Sequence, residues 1–498
     1  MPQLKRSEWY DTARNVNWTP KYAKFEEIFP KDLSDAFDLP VEEWETFDEN
    51  YKDTFRDYVH VQREKDAHAY SIRAALERSK LYDEADPGWK NLVKAHYGGV
   101  SIVEMSAGVL QGRFARFSKS PAQRNICVLG TLDEIRHAQI HLYFAYEHIK
   151  KDPQFDWAIK AFHTNNWVAI SVKHMLDDME QRDIIGSTIM TNLIFEVAFT
   201  NLQFVGLSAD AHAAGDHTFE HMIQSIQTDE ARHAQICNPV IRMAVRNGKK
   251  DECQEFMDIA FWRMWRIFSL VSGNAMDYGT PLHARERSFK EFMHEWVITQ
   301  FERQLIDLGL DRPWYWETFL RDIETFHHQQ HLGVWLWRCT LWWDDNAGVT
   351  AAEREWLEEK YPGWNNTYGK LWDVIAENIA EGRMERTIPQ AGALICNMSQ
   401  AAISGQCGDE WDVKDYYLDH EGRRYHFGSE VDRWIFTRDP DRYKDYPSFT
   451  DRELSGEVPE GLFGFLSFMG LQPGYDSGTD SRNYEWIKDY YTKKEAAE

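Results

Sequence analysis

Two pentapeptides carry residue types that bind metal: Asp133-Glu134-Ile135-Arg136-His137 and Asp229-Glu230-Ala231-Arg232-His233, which agree at four of five positions. In each, Glu and His stand three residues apart, so on a helix both project from one face toward one point. Glu-x-x-His on two helices of a bundle, joined by one Glu from each of two other helices, is the di-iron carboxylate arrangement. The same spacing recurs at Glu291/His294 and Glu324/His327, but without the leading Asp and the Arg, and these two pairs are read as bystanders.

The remaining two carboxylates stand out by isolation. Between Pro87 and Leu132, Glu104 is the only acidic residue, and between Ile184 and Ala209, Glu196 is the only charged one. A bare carboxylate inside an apolar helix must be neutralised, paired or bound to metal. Glu104 and Glu134 are 30 residues apart about a midpoint in Ser118-Lys119-Ser120-Pro121, and Glu196 and Glu230 are 34 apart about a midpoint beside Gly215. A helix pair that turns at its midpoint brings both residues to one height, after roughly 22 Å out and as much back at 1.5 Å per residue. The predicted centre therefore holds Glu104, Glu134, Glu196, Glu230, His137 and His233. Such oxygen-rich ligation suits iron or manganese better than zinc. Asp133 and Asp229 stand four residues before their histidines, where a carboxylate could accept the other ring N–H. Arg136 and Arg232 complete the repeated pentapeptide around the ligands.

These residues need long arms to position them. From about Lys90 to Asn247 the apolar spacing is helical, broken at Ser118–Pro121, Lys151-Asp152-Pro153, Ala214-Gly215-Asp216 and Asn247-Gly248. Residues 1–88 read as a charged wrapping segment, 89–395 as the helical metal domain with a Trp-rich run from Trp335 to Trp343, and 396–498 as a C-terminal region. Within the last, alternation around His420-Glu421-Gly422 predicts a hairpin. The net charge of −25 argues against nucleic acid. The 6 Cys show no CxxC, so they read as reduced thiols of a cytoplasmic chain, and the N-terminus has no apolar signal. Ile184–Ala209 tempts a membrane reading, but Glu196, Asn192, Asn201 and Gln203 within it favour a helix buried in protein.

With these residues in place the chain resembles the α-subunits of bacterial multicomponent monooxygenase hydroxylases, nearest to the toluene, alkene and isoprene group. The similarity runs from Trp9-Tyr10 to at least Phe436 and includes Ala75-Leu76-Glu77-Arg78, the run Ser225–Glu230, the run Ser288–Met293, and Arg312-Pro313-Trp314-Tyr315-Trp316. The resemblance implies a mainly α protein: a ferritin-like four-helix-bundle di-iron core with additional helices and a small α/β appendage. It implies Glu104, Glu134 and His137 on one iron and Glu196, Glu230 and His233 on the other. It points to Thr200 as the active-site threonine, although a helical Thr more usually back-bonds to the carbonyl four residues earlier. Asn201 and Gln227 match positions on the partner-facing surface. The stretch at about 412–445, with Tyr425-His426-Phe427-Gly428-Ser429, is similar to a YHS metal-binding module whose cysteines are replaced here by Gly428 and Asp432, and it is read as a remnant without metal.

Around Glu104, the face formed by Val100, Ser101, Ala107 and Gly108 is unusually small, which suits either a substrate cavity or close helix approach. The resemblance favours a hydrocarbon pocket of Val100, Val103 and Ala107 facing Leu176, Phe195, Phe199 and Phe204. Oxygen insertion from O₂ requires two external electrons, yet the sequence has no GxGxxG fingerprint and no iron–sulfur Cys spacing. The family implies NADH used by a separate flavin reductase, a Rieske-type ferredoxin, a small effector protein, and β and γ subunits in an α₂β₂γ₂ hydroxylase. The expected reaction is arene hydroxylation or alkene epoxidation. A ribonucleotide reductase radical subunit, an acyl desaturase or a non-catalytic iron-binding bundle are the other readings of the metal motif.

Overall fold

The computed structural model describes residues 37–45, 47, 53–78, 80–152, 155, 165–200, 202–336, 350–383, 386, 394–403, 416–460 and 468–469. Trp9-Tyr10, Asn201 and most of the Trp335–Trp343 run lie outside the described residues. Helix α1 (Phe55–Ser71) is followed by two long arms, α2 (Pro87–Phe117) and α3 (Pro121–Ile149). Both arms begin with an acceptor side chain and a proline. Asp86 accepts from the Gly88 N–H and Ser120 from the Gln123 N–H, while Pro87 and Pro121 occupy first-turn positions where a missing N–H costs nothing. The Ser118–Pro121 breaker is thus the turn that reverses the chain.

The two arms approach closely because glycines face side chains across the interface. A Cβ on Gly108 would sit 3.3 Å from Glu134 Cβ, and one on Gly130 would sit 3.2 Å from the Gln111 amide. Gly108 therefore serves close approach rather than a cavity, and this contact brings the α2 and α3 carboxylates to one level.

Helix α4 (Trp167–Gln181) starts at Asn166, which accepts from the Val168 N–H, and packs on α2 where Ser106 Oγ donates to Glu180 Oε1 at 2.6 Å. The third arm opens at Asp183, whose carboxylate accepts from the N–H groups of Ile185 and Gly186. It runs Ile184–Thr188 as α-helix, widens to π-helix over Ile189–Phe199 and Leu202–Leu207, and narrows again in α5 (Ser208–Ala214). The Thr200 N–H reaches the Phe195 carbonyl, five residues back. Such winding is rare and concentrates at functional sites. An apolar run without a polar face carries no periodicity from which its winding could be read. Gly215 ends α5 in the left-handed region at φ 79°, Asp216 accepts from the Phe219 N–H, and α6 (His217–His233) returns along the bundle. Asn192 Nδ2 donates to the His233 carbonyl at 3.1 Å and so ties the third arm to α6.

Beyond the bundle, α7 (Cys237–Arg246) and α8 (Lys250–Phe268) back the third arm, and α9 (Phe326–Leu336) lies farther along. The predicted hairpin is present: β1 (Tyr416–His420) pairs antiparallel with β2 (Arg423–Phe427), in register from Tyr416↔Phe427 to His420↔Arg423. Glu421 and Gly422, both at positive φ, form the two-residue turn. Helix α10 (Glu430–Arg438) follows, capped by Ser429. Phe427, Val431, Ile435 and Phe436 join the same apolar cluster as the bundle. Among the described residues no helix is long and apolar enough to cross a membrane.

The Gly108 contact yields a test. Gly108→Val should force α2 off α3 at a cost of about 1–3 kcal/mol, the usual penalty of overpacking. Chemical denaturation should register that loss, and metal analysis should show reduced occupancy. Unchanged stability would mean the interface has room.

Candidate metal centre

Four arms deliver their acids to one point. Glu104 comes from α2, Glu134 and His137 from α3, Glu196 from the π-helical arm, and Glu230 and His233 from α6. They form two overlapping groups, Glu104, Glu134, His137 and Glu230, and Glu134, Glu196, Glu230 and His233, each with its donor atoms within 4.8 Å of one another. All six residues are buried.

The overlap has a definite form. Nδ1 of His137 lies 2.9 Å from Glu230 Oε1 and 3.4 Å from Glu134 Oε2. Nδ1 of His233 lies 3.2 Å from Glu230 Oε2 and 3.1 Å from Glu134 Oε1. Each central glutamate thus gives one oxygen to each imidazole, as a bridging carboxylate would. Glu104, Glu134 and His137, expected together, share one group, and Glu196, Glu230 and His233 share the other; Glu134 and Glu230 belong to both groups, with Glu104 and Glu196 at the two ends.

The electrostatics call for cations. Burial pushes Glu104 up to about 8, partly opposed by His137 and reinforced by the Glu230 and Glu134 charges. Burial, with Glu230 and Glu134 adding, raises Glu196 well above the usual carboxylate range. Both oxygens of Glu134, Oε2 of Glu196, Oε1 of Glu230 and Nδ1 of His137 lack a hydrogen bond of good geometry. Buried polar atoms are ordinarily paired, and an orphaned set converging on one point fits metal ligation.

Behind the imidazoles the predicted aspartates are crossed. His137 Nε2 lies 3.3 Å from Asp229 Oδ2, and His233 Nε2 lies 3.1 Å from Asp133 Oδ2. Each Asp therefore serves the histidine of the other helix, which corrects the same-helix expectation. With Nδ1 turned to the cluster, Nε2 points away across the α3–α6 seam, where the opposite Asp stands. The arginines cross as well: Arg136 donates to Asp229 Oδ2 at 3.2 Å and Arg232 to Asp133 Oδ2. Asp229 is pushed up by burial, but the His137 hydrogen bond and charge, with Lys65, hold it well below the usual carboxylate range.

Helix α1 closes this layer. Tyr58 donates to Asp133 Oδ1 at 2.8 Å, Gln62 Nε2 spans Asp133 Oδ1 and Asp229 Oδ1 at 2.8 Å each, and Lys65 reaches Asp229 Oδ1 at 2.5 Å. Asp66 accepts from Arg136 Nε at 2.7 Å. Sequence reading missed all four, having taken this segment as a surface wrap. Their spacing, which puts them on one helical face, was the available signal.

Thr200 is buried, and its Oγ1 donates to the Glu196 carbonyl at 2.6 Å, the back-bond usual for a helical Thr. An apolar cavity of about 120 Å³ is lined by residues that include Val100, Val103, Phe195, Met175, His96 and Gln203, and by none of the six cluster residues. Ala107, Leu176, Phe199 and Phe204 are buried but are not among its lining residues. Phe199 instead stacks on Phe268, with ring centroids 5.5 Å apart. Gln227 is half-buried on α6.

Residues 18–248 match the methane/phenol/alkene hydroxylase family model. Over 500 aligned positions the chain is 42% identical to the oxygenase component subunit alpha of the alkene monooxygenase system of Xanthobacter autotrophicus, covering all of both chains. The chain belongs to this hydroxylase family. It is also 26% identical to the oxygenase component of phenol 2-monooxygenase from Pseudomonas sp. strain CF600, over 86% of this chain and 83% of that one. The xenon-pressurised phenol hydroxylase structure from Pseudomonas sp. OX1 superposes with a TM-score of 0.79 at 23% identity, covering 96% of this chain and 97% of that one. The expected ferritin-like helical fold is the one observed.

Within this hydroxylase the bystander pairs stay apart from the cluster. His294 is exposed, and Glu291 caps its own helix through Ser288. His327 is buried but bonds Asp277 Oδ2 at 2.8 Å, in a separate group with His328. Gly428 and Asp432, at the module's cysteine positions, form no metal group among the described residues; Asp432 accepts from Ser429 Oγ at 2.6 Å.

The crossed aspartates predict a crossed phenotype. Asp133→Ala should weaken metal binding about 10–100-fold, the usual cost of losing a partner behind a histidine ligand, and should perturb the His233 end. Metal titration combined with spectroscopy of each end reads this. Perturbation at His137 alone would restore the same-helix pairing.

Proposed function

We propose that this chain is the iron-bearing α-subunit of a multicomponent monooxygenase that inserts one atom of O₂ into a small alkene. The observation that carries the reading is the bridging pair: Glu134 and Glu230 each offer one oxygen to each imidazole. Four carboxylates against two divalent ions leave a nearly neutral buried site, and zinc would ordinarily take more nitrogen or sulfur. Glu104, Glu134, His137 and Glu230 would hold one iron, and Glu134, Glu196, Glu230 and His233 the other. When bound, the iron pair supplies the redox chemistry that activates O₂.

The protein's own residues do the rest. Asp133 and Asp229 fix the tautomer and orientation of the imidazoles, and α1 shields that layer from water. The apolar cavity, lined by Val103 and Phe195 from the positions just before Glu104 and Glu196, would hold an apolar molecule by burial. Its apolar lining suits a small unfunctionalised hydrocarbon such as an alkene. The printed name of the alkene monooxygenase relative supports the same substrate class. Thr200, its proton committed to the Glu196 carbonyl, is the hydroxyl placed one turn beyond that carboxylate.

The chain has no motif for a flavin, nicotinamide or iron–sulfur group. Electrons would come from NADH through a flavin reductase and a Rieske-type ferredoxin, with a small effector protein and β and γ subunits completing the system. Gln227 would face that effector.

Two outcomes follow. The chain with NADH and O₂ alone should give no product, and adding reductase, ferredoxin, effector and partner subunits should yield epoxide from propene or isoprene. NADH-driven turnover by the isolated chain would contradict the assignment. Val100→Phe, which fills the cavity, should keep its iron but lose larger alkenes before propene. An unchanged substrate ratio would place the binding cavity elsewhere.

A further inference from the structure

A second group of metal-binding side chains lies at the turn joining the third arm to α6. His212 stands in the last turn of α5, His217 is the first residue of α6, and Glu220 lies one turn further along. Their donor atoms are all within 4.8 Å of one another. Nδ1 of His212 is 3.2 Å from both Glu220 oxygens, and Nδ1 of His217 is 2.9 Å from Glu220 Oε2. The two imidazole rings face one carboxylate across the left-handed Gly215, with centroids 5.6 Å apart. The rings are exposed, with side-chain exposures of 69% and 57%, whereas Glu220 is at 14% and is steadied by Gln224 at 3.0 Å. The surrounding surface is also rich in histidine, since His221, one turn beyond His217, packs edge-on against His68 at 5.4 Å.

We propose that His212, His217 and Glu220 form a surface site for a divalent transition-metal ion of the zinc class. The donor chemistry differs from that of the buried centre. Two imidazoles and one carboxylate suit zinc, nickel or copper, whereas the carboxylate-rich cluster suits iron. Three protein ligands with solvent on the open side leave a position for water. The ligands come from both sides of the turn, so a bound ion clamps α5 to α6 and fixes the connection between the arms that carry Glu196 and Glu230. The site needs no movement of the backbone, because the three donors already converge.

The test uses the assembled, iron-loaded hydroxylase titrated with Zn²⁺ against a chromophoric chelator, so that the buried centre is already filled. The wild type should take up about one further zinc per chain, and zinc should raise its thermal midpoint. His217→Ala and Glu220→Gln should each weaken that uptake at least about tenfold, given that losing even an outer partner costs 10–100-fold, with iron content unchanged. The midpoint shift should vanish in both variants. Uptake of equal affinity in the two variants, or no additional zinc in the wild type, would overturn the proposal. Both substitutions lie in the first turn of α6, and far-ultraviolet circular dichroism checks that the variants compared are folded.

Discussion

Placing four carboxylates side by side in the dry interior of a helical bundle is the constraint on which this structure turns. Each acid alone would be pushed toward protonation, as burial does to Glu104 and Glu196. Together they form a site stable only with compensating positive charge. Two divalent ions would supply it at the centre, with the neutral imidazoles as further donors. Outside them, Asp133 and Asp229 take up the histidine N–H groups, and Arg136, Arg232 and Lys65 balance those aspartates in turn. Charge alternates outward in layers until α1 closes the last one. A single substitution in any layer leaves an unpaired group in the next, so these residues stand or fall as a unit.

The two repeated pentapeptides are related as partners rather than as copies. Because each Asp and each Arg serves the opposite helix, neither half-site is complete alone, and α3 and α6 must be in register before either histidine is held. The close approach of α2 to α3 at Gly108 and the Asn192 bond from the third arm to His233 set that register from the two flanking sides. The wide winding of the third arm then places Glu196 at the far end of the cluster, with Phe195 beside it on the cavity wall.

The clustering of the six residues was legible in the sequence because Glu104 and Glu196 stand alone in apolar stretches and because both spacings centre on turn signals. The hairpin was legible for a similarly local reason, a Glu-Gly turn between alternating runs. What sequence could not carry is which helix faces which. Spacing along one helix ties Asp133 to His137, and only the packed seam reveals the exchange. Tyr58, Gln62, Lys65 and Asp66 share a helical face, but nothing in a charged segment names what that face covers. The winding of Ile189–Phe199 was hidden because nearly the whole segment is buried, its few polar residues Thr191, Asn192 and Glu196 included, so no solvent-facing stripe marks a period. Of the residues read as a pocket, Val100, Val103 and Phe195 line the apolar cavity, whereas the small size of Gly108 reflects helix approach and Phe199 turns to the aromatic core.

The central claim, a bridged pair of irons between Glu134 and Glu230, is tested most directly by anomalous diffraction at the iron edge from crystals of the iron-loaded hydroxylase. The account predicts two iron peaks per chain about 3.5–4 Å apart, the usual separation of a two-metal site, with both glutamates between them and Glu104 and Glu196 at the ends. A single peak, or peaks beside Asp277 and His327, would contradict it.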